Sequence, residues 1–334
     1  MSGRKSLSKL QVGRESTAGT AVAATTILRG SGRLLDNRLI ERVPEDVAII
    51  GGTDRTNNPM KGGGLAWSQV ATFEQILHFL EAGIATEASP TQDGAGSGYI
   101  YDYPFPSTAA PTIKTYTLEG GDDNEAERMA YCFVNDFTLS GTGRRPYQLS
   151  ANWVGRSVEV NAFTSLSTLV AVNTMNFGMT KIYIDAIGGT IGTTIKSNTV
   201  RMVNFKYTTG IQAKDTADGR LDFSFAQTGQ DYICKTQVEF EHDATAAAQK
   251  VNWRAETPVL VRIKIEGSTA FASAGTTYSV PTVLIDLPAK WENFEKLGDV
   301  NGNNILRGTF FTAYNTTAAR TGSITVVAAV ATVP

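Results

Sequence analysis

Apolar and polar residues alternate along much of this chain, most clearly over residues 133–156. Phe133, Phe137 and Leu139 stand on one side, with Asp136, Thr138 and Ser140 on the other. After a Gly-Thr-Gly-Arg-Arg-Pro turn, Tyr147, Leu149, Ala151 and Trp153 repeat the pattern against Gln148, Ser150 and Asn152. A period of two is the mark of half-buried strands, and glycine and proline between two such runs supply the turn. The segment is therefore predicted to be a β-hairpin with one oily face. Similar runs predict strands over 20–28, 34–43, 65–70, 112–118, 200–208, 221–225 and 233–240.

Two stretches switch to helical spacing. Thr72 with Gln75 fits a capping box, Phe73, Ile76, Leu77, Leu80 and Ile84 follow on one stripe, and Gly83 stops the helix. His78 falls off that stripe and is expected at the surface. Asp243 is the expected cap of a second helix, in which Ala244, Ala247, Ala248 and Val251 share a face. The glycine-rich stretches 44–64 and 85–110 are expected to be loops long enough to carry function. Residues 1–17, polar and basic, are expected to form a mobile arm or the lead-in to a first strand.

The second half retraces the first. Gly192-Thr193-Thr194-Ile195 echoes Gly19-Thr20-Ala21-Val22. Residues 258–267 echo 111–120, and 291–314 echo the hairpin, with Phe294 set against Phe137. Each half reads strand pair, helix, strand, hairpin, as a tandem duplication would. The expected organisation is an arm over 1–17, one β-sandwich over 18–180 and a second over 181–334. Phe73, Leu77, Phe137, Trp153, Phe294 and Phe310 are the expected core. If Phe137 and Phe294 are equivalent, alanine at either is expected to cost about the same.

Composition fits this picture. The chain has 334 residues, 42% of them hydrophobic and 19% charged, which suits one large or two ordinary globular domains. A net charge of −2 gives no hint of the basic patch a specific nucleic-acid reader needs. Cys132 and Cys234 lie in strand-like runs and are expected to be buried, reduced thiols. No apolar segment follows the basic start, and no run is long enough to span a bilayer, so the expected starting point is a cytosol.

Candidate chemistry is sparse. The two histidines, His78 and His242, are far apart, and no nucleophile elbow, zinc-protease motif or phosphate-binding loop occurs. Residues 299–304 lack the glycine and glutamate positions of a calcium loop and read as a hairpin turn. No carboxylate pair suggests glycoside hydrolysis. Arg144 and Arg145 at the hairpin tip, and the acidic run Glu119, Asp122, Asp123, Glu125 and Glu127, suit complementary surfaces in self-assembly. The motifs point to no catalytic residues, metal or cofactor.

Gly13 to Val22, the helix ending Phe79-Leu-Glu-Ala-Gly83, and Tyr116 to Asp122 running into Phe133 to Arg156 resemble the tail tube proteins of long non-contractile bacteriophage tails. Tyr183-Ile-Asp-Ala, Gly192-Thr-Thr and Gly302 to Tyr314 stand where that family would place them. The resemblance implies a mainly β fold, a tail-tube-type β-sandwich with a flanking helix, duplicated in this chain. It implies sheets that join between subunits into rings, and rings that stack into a hollow tube. It further implies a virion tail assembled in the host bacterial cytoplasm. The implied partners are the chain itself, a tape-measure protein, a tail terminator and distal tail proteins, with DNA only as passing cargo and no membrane insertion. On this resemblance Pro44, Asp54, Arg55, Asn57, Lys61, Asp93 and Tyr99 are candidates for contacts between rings. Asp136, Thr138, Arg144, Arg145, Gln148 and Asn152 are candidates for the ring interface or lumen. A capsid decoration or tail-terminating protein, or less readily a carbohydrate-active β-protein, are the alternatives.

Overall fold

A computed structural model describes residues 3–84, 90–166 and 168–334. Strand makes up 47% and helix 8%, so the fold is mainly β, as the alternation predicts. The first half holds β1 (Lys9–Arg14), β2 (Thr26–Leu28), β3 (Leu34–Asp36), β4 (Leu39–Arg42), β5 (Thr56–Met60), β6 (Gly63–Val70), α1 (Ile76–Gly83), β7 (Thr91–Gln92), β8 (Tyr99–Pro104), β9 (Tyr116–Gly121), β10 (Ala126–Thr142), β11 (Gln148–Gly155) and β12 (Val158–Val160). The second holds β13 (Thr180–Ala186), β14 (Val200–Thr208), β15 (Ile211–Lys214), β16 (Phe225–Thr228), β17 (Ile233–Glu241), α2 (Ala244–Arg254), β18 (Val259–Glu266), β19 (Thr282–Val300), β20 (Asn303–Thr312) and β21 (Ser323–Ala328).

Two long strands organise the molecule. The first part of β10 pairs with β9 and β12, and its second part pairs with β11 and β14. The first part of β19 pairs with β18 and β21, and its second part with β20. Each long strand therefore leaves an outer sheet and enters a shared central one. The outer sheets run β2-β1-β9-β10-β12 and β13-β18-β19-β21-β8-β7. The central sheet runs β3-β6-β11-β10-β14-β17-β20-β19. Followed ladder by ladder, no path among the described residues returns to its start. The strands are linked except for the β4–β5 and β15–β16 hairpins, which pair only within themselves, and one chain closes no barrel.

The two halves repeat one another down to register. In β10·β11, Phe133 faces Val154 and Val134 faces Trp153; a bulge follows, after which Asp136 faces Asn152 and Phe137 faces Ala151. In β19·β20, Lys290 faces Phe311 and Trp291 faces Phe310; a bulge follows, after which Asn293 faces Thr309 and Phe294 faces Gly308. Every position is displaced by 157 residues (134 to 291), bulge included. Likewise Leu34 faces Leu65 and Leu35 faces Gly64 in β3·β6, and Phe205 faces Thr236 and Lys206 faces Lys235 in β14·β17, a displacement of 171 (34 to 205). The one large asymmetry is the connection from α1 to β9. It delivers β7 and β8 to the edge of β21 in the other half, whereas α2 leads to β18 through residues 255–258 alone.

Each half buries an aromatic core around its hairpin. Phe79 of α1 lies 4.4 Å from Trp67 and 5.5 Å from Trp153, and Tyr116 meets Trp153 edge-on at 5.7 Å. In the second half Trp291 lies 5.1 Å from Phe310 and 4.8 Å from Phe294. Such rings contribute both large buried area and specific geometry. Phe73, Leu77, Phe137, Trp153 and Phe310 are buried as expected, but Phe294 is only partly so.

Several expectations are corrected. The arm over 1–17 contains β1, paired on both sides by β2 and β9 and burying Leu10 and Val12, so it is an inner strand of an outer sheet. The loop over 44–64 contains β5 and the start of β6. The loop over 85–110 contains β7 and β8, and its residues 85–89 lie outside the described ones. The helix predicted from Thr72 begins at Ile76; the Thr72 hydroxyl accepts from the Gln75 N–H at 3.4 Å in a preceding turn, and the Gln75 side chain reaches Ile27 instead of closing a box. His78 is fully buried, because α1 is covered on one side by Tyr116 of an outer sheet, which meets His78 at 5.6 Å, and on another by Trp67 and Trp153 of the central sheet, which meet Phe79. On α2 the Asp243 cap forms, accepting from the Ala246 N–H at 2.9 Å. The predicted apolar face of Ala244, Ala247, Ala248 and Val251 nevertheless lies exposed, while Ala246 and Gln249 face inward.

Candidate assembly surfaces

The central sheet keeps one face apolar and the other polar, as a half-buried antiparallel sheet does. Asp136, Thr138, Gln148 and Asn152 project from the polar face, where the Asn152 amide donates to both Asp136 carboxylate oxygens at 3.0 and 3.1 Å. The face continues across β14, β17 and β20 through Lys206, Lys235, Glu239 and Arg307, with Arg307 paired to Glu239 and Lys235 to Glu292 at 2.9 Å. Acids and bases are interleaved, so the face has no strong field of either sign. Arg144 and Arg145 lie exposed at the β10–β11 turn, outside the sheet.

The bulge at Asn135 overturns one sequence expectation. Inserting one residue reverses the facing of everything before it. Phe133 therefore leaves the face of Phe137 and Leu139 and joins Tyr131 on the other side, in a separate small cluster with Ile211 and Phe223. That cluster seats the β15–β16 hairpin. Phe223 lies 5.1 Å from Tyr131 and 6.1 Å from Phe133. The Arg156 guanidinium stacks on Tyr131 at 4.5 Å and donates to the backbone carbonyls of Phe223 and Ser224. Strict alternation could not reveal this seat, since the only signal is a break in the period.

Both ends of the central sheet are open. At one end β3 pairs, among the described residues, only with β6, and Leu35 and Asp36 are exposed. At the other, the last part of β19 pairs only with β20, and Glu295, Lys296, Asp299 and Val300 are exposed. Unpaired edges are templates for another strand. Beyond β3 the β4–β5 hairpin projects with Leu39, Ile40, Val47, Ile49, Ile50 and Met60 all exposed. It carries Pro44, Asp54, Arg55 and Asn57 in the open, and Arg55 pairs with Glu45. Lys61, at its base, donates its N–H to the Leu221 carbonyl at 2.7 Å.

Two candidates for ring contacts are misplaced by the sequence. Asp93 is buried, and its carboxylate accepts the N–H groups of Thr277 at 3.0 Å and Tyr278 at 2.6 Å, fastening the first half to the second. Tyr99 is partly buried on β8, paired with Ala328. Both serve the asymmetric strand donation from the α1–β9 connection. Glu119 is likewise no part of an acidic surface, because it is buried and accepts from the Thr164 N–H and hydroxyl, each at 2.7 Å.

Buried ionisable groups are structural in their contacts. Glu81 accepts from the Tyr116 hydroxyl and from Arg14, both at 2.7 Å, and burial raises its pKa. Glu74 accepts from Asn173, and burial raises its pKa as well. Asp185 is held down to about 2; burial opposes the shift, and the hydroxyl and N–H donors of Gly192, Thr193 and Thr194 outweigh it. This is the Gly192-Thr-Thr turn noted in the sequence, and Glu15 holds Gly19 at 2.8 Å in the same way. Cys132 and Cys234 are free and buried, and burial pushes both thiols up, Cys234 to about 12. Among the described residues no three His, Cys, Asp or Glu side chains are grouped to hold a metal, and no helix is long and apolar enough to cross a membrane. Compared with known proteins, the sequence matches no family model and no curated protein.

Proposed function

We propose that this chain is a self-assembling structural subunit whose copies join edge to edge into a ring. In particular, we propose a tail tube protein of a long non-contractile bacteriophage tail, its stacked rings forming the conduit for DNA. The observation that carries the reading is the β10·β14 ladder. There the hairpin of one half meets the edge strand of the next, with Asp136 opposite Thr208 and Thr142 opposite Met202. Each half therefore has a hairpin end and an edge-strand end, and the chain uses one of each. The remaining pair, β19 and β3, is the same combination left open. A head-to-tail contact that repeats with a closing rotation gives a ring and removes both free edges of the central sheet.

Two further features support it. α1, at the junction of the halves, is enclosed, and Gly83 lies close against Thr209 of the second half. Its counterpart α2, at the open end, leaves Val251 61% exposed, as expected of a helix awaiting a neighbour. The mixed, near-neutral polar face suits a lumen that passes DNA without holding it. A tandem duplication, a ring of three chains with pseudo-sixfold symmetry, and the terminator, tape-measure and distal tail partners belong to this reading through the resemblance. Negative-stain microscopy of the purified protein tests it. Long tubes with threefold or sixfold end-on averages are expected. Discrete particles that do not stack would favour a decorating or terminating protein, and a monomer at all concentrations would refute assembly.

A further inference from the structure

We propose that the β4–β5 hairpin of one copy seats on the β19–β20 hairpin of a second copy, over Pro288, Lys290, Phe311 and Tyr314. This rests on the assembly reading above. The chain already contains one instance of the contact. β15–β16 connects β14 to β17 as β4–β5 connects β3 to β6, and Ile211 faces Thr228 as Leu39 faces Met60. β15–β16 is seated by Ile211 and Phe223 on Tyr131 and Phe133, beside Val154 and under Arg156. The seat belongs to the β10–β11 hairpin of the preceding half.

The register shows where the second seat lies. Phe133 opposite Val154 becomes Lys290 opposite Phe311. By the same displacement Tyr131 becomes Pro288 and Arg156 becomes Ala313. These residues, with Tyr314, line a shallow pocket. Phe311 is 37% and Tyr314 56% exposed. The hairpin that would cover them shows Leu39 at 40%, Ile40 at 65% and Met60 at 48% exposure, whereas the equivalent Ile211 is buried. The two surfaces sit at opposite ends of an eight-strand sheet, roughly 30 Å apart at about 4.8 Å per strand, so the contact is between copies. The second seat is less aromatic than the first. Lys290, in the place of Phe133, is paired with Glu256 at 2.9 Å within the chain and leaves its aliphatic stem beside Phe311.

The test is a disulfide between Leu39→Cys and Phe311→Cys, formed by mild oxidation of the assembled protein and read on a non-reducing gel. The double variant is expected to give a ladder of covalent oligomers. The two single variants mixed are expected to give only dimers, and each alone only monomers. Assemblies visible by microscopy without cross-linked species would overturn the seat and leave the ring reading standing. A cross-link closed within one chain would overturn the contact between copies, and absence of assembly in the unmodified protein would overturn both readings. As a second variant, Phe311→Glu is expected to keep its far-ultraviolet circular dichroism and raise the assembly threshold at least tenfold. An unchanged threshold would count against the seat.

Discussion

Phe137 and Phe294 occupy the same place in the two hairpins, yet alanine at the two positions is expected to behave differently. The Phe137 ring is buried against Phe205 at 6.0 Å and Tyr207 at 5.6 Å, both on β14. Its removal deletes a full core ring and leaves a cavity, which costs about 3–5 kcal/mol. Phe294 contacts Trp253 at 5.9 Å and Trp291 at 4.8 Å but has no strand beside it where β14 covers Phe137. Because Phe294 is only partly buried, the loss in an isolated chain is smaller, about 2–3 kcal/mol. The remainder appears on assembly, when β3 of a neighbour brings Leu34 to the register of Phe205. Burying the rest of the ring is worth about 1 kcal/mol per contact. The assay is urea unfolding of dilute monomer, with midpoints compared at matched m-values, alongside light scattering for the assembly threshold. Phe294→Ala should lose less stability than Phe137→Ala but raise the threshold by roughly fivefold or more. Equal destabilisation of the two monomers, with assembly unaltered in Phe294→Ala, would refute both the open edge and its occupant.

Other expectations follow from single groups. The buried His78 imidazole, edge-on to Tyr116 at 5.6 Å, is held near a pKa of about 3 by burial and by the positive charge of Arg14. The unfolded chain then binds the extra proton below about pH 6.5, so this residue's contribution is lost as pH falls from 6.5 toward 3. Glu74 and Glu81 act in the opposite sense, since their raised pKa values let the fold hold protons the unfolded chain has released. His78→Leu removes only the first effect. Its stability advantage over the parent should widen by about 3 kcal/mol between pH 7 and pH 4 in chemical denaturation, and a pH-independent difference would contradict the buried neutral imidazole. Asp243→Ala should cost about 1 kcal/mol through loss of the α2 cap, measured by urea midpoint, with Asp243→Asn nearly neutral. Deleting residues 44–54, the tip between β4 and β5, should leave the unfolding midpoint unchanged and impair tube formation; tubes of normal length would remove the hairpin from assembly.

Much of the fold is local and was legible. The hairpin over 133–156, the Asp243 cap, the strand over 200–208 and the Asn301-Gly302 turn all arise from neighbours in sequence. That turn takes φ of 54° and 84°, which Asn and Gly tolerate best. The echo between 133–156 and 291–314 was legible too, because displacement by a constant number keeps residue type and facing together. The echo of 111–120 in 258–267 was slightly out of step. β9 begins at Tyr116 and β18 at Val259, which places the equivalence four residues from where the matching prolines suggest.

The candidate site was only half legible, for a reason of distance. Pro44, Asp54, Arg55 and Asn57 lie exposed, as a polar, glycine-rich stretch between strands predicts. Asp93 and Tyr99 looked the same in sequence, but their stretch is captured by Thr277, Tyr278 and β21, some 180 residues or more away. His78 was misjudged for the same reason, since a stripe predicts which face of a helix is covered first, not whether a second sheet covers the rest.

By itself, the sequence determined that strands would dominate, where the hairpins turn, and that the second half repeats the order of the first. Those follow from periodicity and turn chemistry, which act over a few residues. Only the tertiary structure decided that β10 and β19 each serve two sheets, that bulges at equivalent positions turn Phe133 and Lys290 outward, and that one hairpin end and one edge strand are left without partners. These are matters of which distant strands meet. A chain's alternation states that an edge exists but not what lies beside it.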